Sequence, residues 1–148
     1  VSNTCVRSTL PLSATPTGAA TTDSSITGVG SLIMPSGSWS ELGCVSVTDQ
    51  MDDFYTKIDW IAPTKKNLYV HRLAVHPKYQ GLGYAKEIMN FIENNAIESN
   101  CDSIRLDTFS MNKKNNNFYS NIGYEKLGQI YFRDQSEMPF NCYEKRLK

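Results

Sequence analysis

Gln80-Gly81-Leu82-Gly83-Tyr84-Ala85 is the segment of this sequence best suited to hold an anion. Two glycines let a backbone turn sharply and come close to a ligand. A helix after them would offer unpaired N–H groups and the positive end of its dipole, a setting that suits a pyrophosphate. The same glycines would also serve a plain strand-to-helix turn, and the hexapeptide alone leaves both readings open. It is not a dinucleotide fingerprint, because Lys86 stands where G-x-G-x-x-G needs its third glycine. Asp102 is a poor candidate for the acidic ribose partner expected about 20 residues on. No Gly-Lys-Ser/Thr follows, which excludes a Walker A loop. Cys5, Cys44, Cys101 and Cys142 are singly spaced with no C-x-x-C pair. That argues against zinc, and no metal ligand set is assigned.

The elements around this loop follow from pattern. Leu68–Val75 (LYVHRLAV) is β-branched and aromatic and is ended by His76-Pro77, so it predicts a strand. Over residues 84–99, Ala85, Ile88, Met89, Ile92 and Ala96 fall on one helical face. Ser103–Thr108 predicts another strand, and residues 112–122 a short helix ended by Gly123. Residues 124–132 and 140–147 predict two final strands with a polar turn at 133–139. Upstream, residues 26–34 predict a strand weakened by Gly28 and Gly30. Residues 35–38 predict a turn, and residues 43–48 an alternating strand. Residues 49–66 read as a long connection with an aromatic-rich piece from Phe54-Tyr55 to Trp60. The expected class is α/β (α+β), a mixed central sheet with flanking helices.

The 148 residues carry 15 Lys+Arg and 15 Asp+Glu, so the net charge is zero. No run of basic residues suggests nucleic acid or a membrane surface as partner. No apolar stretch approaches the ~20 residues of a membrane span. The distribution is lopsided: of the first 40 residues 23 are Ser, Thr, Gly or Pro, and only Arg7 and Asp23 are charged. The expected division is an atypical segment over residues 1–40 and one domain over residues 41–148. The start has no readable signal peptide and the cysteines no disulfide framework, so a cytoplasmic protein with reduced thiols is expected.

Taken together, the spacings resemble the GCN5-related N-acetyltransferases. That family carries Arg/Gln-x-x-Gly-x-Gly/Ala between a strand and a helix, matched by Gln80, Gly83 and Ala85 after Leu73-Ala74-Val75-His76-Pro77. A second signature is Asn, then Tyr seven residues on, then Gly-Phe/Tyr, matched by Asn112, Tyr119, Gly123 and Tyr124. His71–Val75 and Ile104–Thr108 resemble a bacterial-type branch. The resemblance covers about residues 43–148 and implies an acyl-CoA N-acyltransferase-like fold.

It also implies transfer of an acetyl group from acetyl-CoA, as cosubstrate, to a primary amine of a small molecule or peptide. Main-chain groups of Leu73 and Val75, and Asn112, would hold the pantetheine arm. Gln80, Gly81, Leu82, Gly83, Tyr84 and Ala85 would hold the pyrophosphate. Tyr119 is then the general acid, since a phenol stays protonated at neutral pH. A lysine-like amine has a pKa near ~10.4, so something must take its proton. His71 and Asp107 are the two candidates, and each could instead be structural. Arg72 and Arg105 could meet an acidic substrate group, although a solvated strand face suits them better. Trp60 could wall the acceptor site or pack in the core. The family opens with a strand and two helices that residues 1–40 do not match. Relatives often dimerise, which leaves a homodimer open, and a non-catalytic acyl-CoA-binding module is the alternative reading.

Overall fold

The structure, a computed structural model, describes residues 27–33, 39–63 and 65–148. In chain order the elements are β1 (Thr27–Ile33), β2 (Trp39–Thr48), β3 (Asn67–Val75), α1 (Tyr84–Glu98), β4 (Ser103–Phe109), α2 (Lys113–Asn121), β5 (Glu125–Ile130) and β6 (Phe140–Arg146). Two 3-10 turns, Asp53–Lys57 and Pro77–Tyr79, flank β3 in sequence. Strand order is β1-β2-β3-β4-β6-β5. The class is the expected mixed sheet with helices. The turn expected at 35–38 and residues 1–26 lie outside the described residues.

Contacts gather the chain into two compact units, one ending at Thr48 and resuming over Val70–Asn95, the other Asp49–Tyr69 with Ala96–Lys148. In the first unit β1 pairs antiparallel with β2, and a bulge lies between Gly30 and Ser31. A Cβ at Gly43 would strike the Ala74 carbonyl oxygen and come within 3.3 Å of Val75 Cα and Ile88 Cδ1. Only a residue without a side chain lets β2 pass this close to the end of β3 and to α1. The α1 stripe buries Ile88, Met89 and Ile92 as its periodicity predicts, while Ala85 is half-buried.

In the second unit β6 pairs antiparallel with β4 on one side and β5 on the other. Directly opposed across β4 and β6 are Arg105 and Glu144, both wholly shut off from solvent and ion-paired at 2.9 Å from Nε to Oε1. Burying two charges is costly unless every lone pair and proton finds a partner. Here they do. Glu144 Oε2 accepts from the Ile61 N–H (2.6 Å) and the Ala62 N–H (3.3 Å). Arg105 donates to the Ala62 carbonyl at 2.8 Å and to the Tyr69 hydroxyl at 3.2 Å. Ser103 Oγ lies 2.7 Å from Glu144 Oε1 and 2.9 Å from Asn67 Oδ1, and donates to one at a time. The Trp60 ring covers the guanidinium at 4.6 Å.

This arrangement corrects the expectation for Arg105, which lies neither on a solvated face nor within reach of a substrate. Strand alternation cannot reveal a buried charge when its counterion is 39 residues away. Trp60 is likewise a packing residue: its indole N–H donates to the Tyr55 carbonyl at 2.9 Å, and its ring lies 5.4 Å from that of Tyr55.

Arg105→Ala would leave Glu144 buried and unpaired. The expected result in urea-melt experiments is a loss of about 3–5 kcal/mol of stability, well beyond what an exposed arginine such as Arg72 would show.

Candidate active site

Along β3 burial falls from its first half to its second. Asn67–Val70 are buried, His71 and Arg72 exposed, and Leu73 and Val75 half-buried. His76 caps the following 3-10 turn, its Nδ1 accepting from the Lys78 N–H at 3.2 Å. Gln80 then folds back, and its side-chain amide donates to the Val75 carbonyl at 3.0 Å. That bond anchors the start of the glycine loop to the end of the strand.

Gly81 (φ 78°) and Gly83 (φ 90°) are both in the left-handed region. Nothing lies within 4 Å of a Cβ at either position. Backbone conformation, not space, therefore requires glycine there. Gly83 immediately precedes α1, its carbonyl accepting from the N–H groups of Lys86 (3.0 Å) and Glu87 (3.2 Å). Gln80, Gly81, Leu82 and Gly83 are exposed, with Tyr84 and Ala85 half-buried. The result is an accessible, left-handed loop running into a helix start, the geometry expected of an anion cradle.

The second unit carries the other signature. Asn112 is the residue before α2, and its side-chain oxygen accepts from the Asn115 N–H at 3.0 Å. At the other end Gly123 (φ 90°) lets the chain reverse, and the Tyr124 N–H donates to the Tyr119 carbonyl at 3.0 Å. The motif positions at either end thus fix where α2 starts and stops, and so where Tyr119 sits. Tyr119 is buried, with the rings of Phe118, Tyr124 and Tyr143 at 5.1, 6.0 and 6.0 Å. Burial, with a lesser effect from the Asp107 carboxylate, pushes its hydroxyl up to about 12. At neutral pH it is a firmly protonated donor.

Asp107 is half-buried on β4 and accepts from the Tyr55 hydroxyl at 2.5 Å. Tyr55 belongs to the 3-10 turn at Asp53–Lys57 and is wholly buried. Burial first, and the charge and hydrogen bond of Asp107 next, hold its proton well above the usual phenol range. Cys142 lies opposite Asp107 in the β4–β6 register, and burial with that same carboxylate pushes its thiol up to about 12. Asp107 and Tyr119 thus share one unit, while His71, exposed on β3, belongs to the other.

Two groups escaped sequence reasoning. Tyr55 was visible only as part of an aromatic-rich connection, and its partner is 52 residues away. Asn116 forms the hub of a polar network. Its Oδ1 accepts from Asn141 at 2.7 Å and from the Tyr143 hydroxyl at 2.8 Å, and its amide donates to the carbonyls of Phe109 (3.0 Å) and Asn112 (2.7 Å). The run Asn115-Asn116-Asn117 reads as polar surface, with no periodicity that singles out its middle member. Among the described residues, no group of three or more His, Cys, Asp or Glu could hold a metal ion. No helix there is long and apolar enough to cross a membrane.

The fold and its two signature segments define an acetyltransferase class, and comparison with known proteins agrees. The Acetyltransferase (GNAT) family matches residues 41–124, and the chain belongs to that family. It is similar to the thialysine N-epsilon-acetyltransferase of Mus musculus, 31% identical over 78 residues, which are 50% of this chain and 46% of the relative. The chain thus spans about half the length of that curated relative. Among solved structures it resembles a GNAT-family acetyltransferase from Listeria monocytogenes 4b F2365, with TM-score 0.58, 24% identity and coverage of 76% and 60% of the two chains. It also resembles Arabidopsis thaliana NAA60 in complex with acetyl-CoA, with TM-score 0.59, 14% identity and coverage of 76% and 70%. At those identities the structural likeness shows the fold.

The thiols of Cys101 and Cys142 are free and buried, and burial raises both above the ordinary cysteine range. Neither is expected to react with iodoacetamide at about pH 8 in the native protein. Mass-spectrometric mapping of labelled peptides should find both modified only after denaturation.

Proposed function

We propose that this protein is an acetyl-CoA-dependent N-acetyltransferase that acts on a primary amine of a small molecule or peptide by direct attack in a ternary complex. Family membership supports transfer of an acyl group, and the names of the relatives support an amine acceptor. The observation that carries the mechanism is Tyr119, a buried phenol held neutral beside the Asp107 carboxylate.

The residues present fit the cosubstrate. Gly81 and Gly83 expose backbone in the left-handed region at the start of a 15-residue helix, which suits a pyrophosphate. Gln80, Leu82, Tyr84 and Ala85 complete that loop, main-chain groups of Leu73 and Val75 would take the pantetheine arm, and Asn112 would bond the pantetheine side of the cofactor. Acetyl-CoA, when bound, supplies a thioester carbonyl open to attack. Tyr119 Oη holds the proton that the departing sulfur takes up as the carbon–sulfur bond breaks. The acceptor's ammonium must lose a proton before its nitrogen can attack, and Asp107 or His71 receives it directly or through water. Asp107 is the favoured of the two, because its charge acts on the Tyr119 hydroxyl. The free buried thiols fit a reducing compartment such as the cytoplasm.

Two variants test this reading. Tyr119→Phe keeps the ring and removes the proton. Its expected effect is a fall in kcat of at least about a hundredfold with the acetyl-CoA KM near wild type. Full turnover by the variant would remove Tyr119 from the acid role. Gly83→Ala forces a side chain into positive φ, at a cost of about 1–2 kcal/mol. It is expected to raise the acetyl-CoA KM about tenfold, measured at saturating amine, with less effect on kcat.

A further inference from the structure

We propose that Tyr55 is a positioning residue for the acceptor amine: its hydroxyl fixes the Asp107 carboxylate in one orientation. The proposal rests on the acetyltransferase reading and adds to it a residue that no signature contains.

The geometry is over-determined around the ring. Tyr55 is 1% exposed, and it packs against Trp60 and Tyr69 with ring centroids 5.4 and 5.8 Å away. Its own N–H donates to the Asp52 carbonyl at 2.9 Å, and its carbonyl accepts from the Trp60 indole. Tyr69 is tied in turn to the buried Arg105. A phenylalanine would fill this space equally well. A buried hydroxyl costs free energy unless it is paired, so its presence is accounted for by what it binds, which is Asp107 Oδ1.

A hydrogen bond donated to a carboxylate favours the ionised form. Among the titratable groups that Asp107 acts on are Tyr55 from the 3-10 turn, Tyr119 from α2 and Cys142 from β6, with Asp52 acting in turn on Tyr55. Tyr119 and Cys142 are pushed upward, so both stay neutral beside it. A carboxylate fixed by this hydrogen bond, close enough to the general acid to act on its charge state, is a docking point for an ammonium. In the reaction one N–H bond of that ammonium breaks, and its proton passes by way of the carboxylate to water. The nitrogen–carbon bond forms, the carbon–sulfur bond breaks, sulfur takes the Tyr119 proton, and the nitrogen sheds a second proton that passes through water and restores the phenol.

The test compares wild type, Tyr55→Phe, Asp107→Asn and the double variant in steady-state assays with acetyl-CoA and a panel of primary amines. Thermal melts check folding. Y55F is expected to raise the amine KM about tenfold and to leave the acetyl-CoA KM unchanged. Loss of the donor lifts the Asp107 titration, so the acidic limb of kcat/KM for the amine should move to higher pH. In the D107N background Y55F should add no further effect on the amine KM. An unmoved limb, parallel changes in both KM values, an equal penalty in the D107N background, or a variant that does not fold would make the hydroxyl merely structural and overturn the proposal. A carbon-13 titration of the Asp107 carboxyl reads the same link without turnover. Its midpoint should rise in Y55F, and no shift would overturn the proposal even if no amine in the panel is acetylated. Wild type that binds CoA yet acetylates no amine would instead count against the proposed function.

Discussion

A buried arginine and a buried glutamate, directly opposed across two antiparallel strands, are the constraint on which the second unit is built. Neither charge could stay in the interior alone, so each recruits partners from several stretches of chain. Glu144 collects the main-chain N–H groups of Ile61 and Ala62. Arg105 collects the Ala62 carbonyl, the Tyr69 hydroxyl and the Trp60 ring. The connection before β3, which has little regular structure of its own, is thereby pinned to β4 and β6. Such an arrangement adds little net stability compared with an apolar core. What it adds here is geometry, because both charges bond to the same stretch of the connection at Ile61 and Ala62.

That placement reaches the candidate active site. The pinned connection includes the turn that carries Tyr55, and Tyr55 is bonded to Asp107, two residues along β4 from Arg105. One strand thus presents a charge used for structure and, further along, a charge suited to chemistry. The difference lies in exposure: Arg105 is wholly buried whereas Asp107 is half-buried. The helix that carries Tyr119 is held separately, by Asn112 and Gly123 at its ends and by the Asn116 network at its middle. The acid and the carboxylate are each positioned by a different set of polar contacts.

Much of this was legible in the residues. The hydrophobic stripe of α1, the β-branched run of β3, and the end signals around α2 are local patterns, and the observed elements follow them within a few residues. Asn112 sits just outside the helix it was expected to begin, because a side chain that caps the first turn must belong to the residue before it. Arg105 was misread, since alternation along a strand says which residues share a face and nothing about a counterion 39 residues on. Tyr55 went unseen for the same reason. The 3-10 turn holding it is too short to leave a periodic trace.

By itself, then, the amino-acid sequence determined what depends on neighbours in the chain. It set the helices and strands, the left-handed glycine loop before α1, the capped and terminated helix that bears Tyr119, and through those two segments the acetyltransferase family. The tertiary structure decided what depends on distant residues meeting. It chose which arginine is buried and paired, which carboxylate receives a phenol's hydrogen bond, and how far burial raises Tyr119. Those properties arise from desolvation and from the charge of groups brought close by folding, and neither is written in any local stretch of residues.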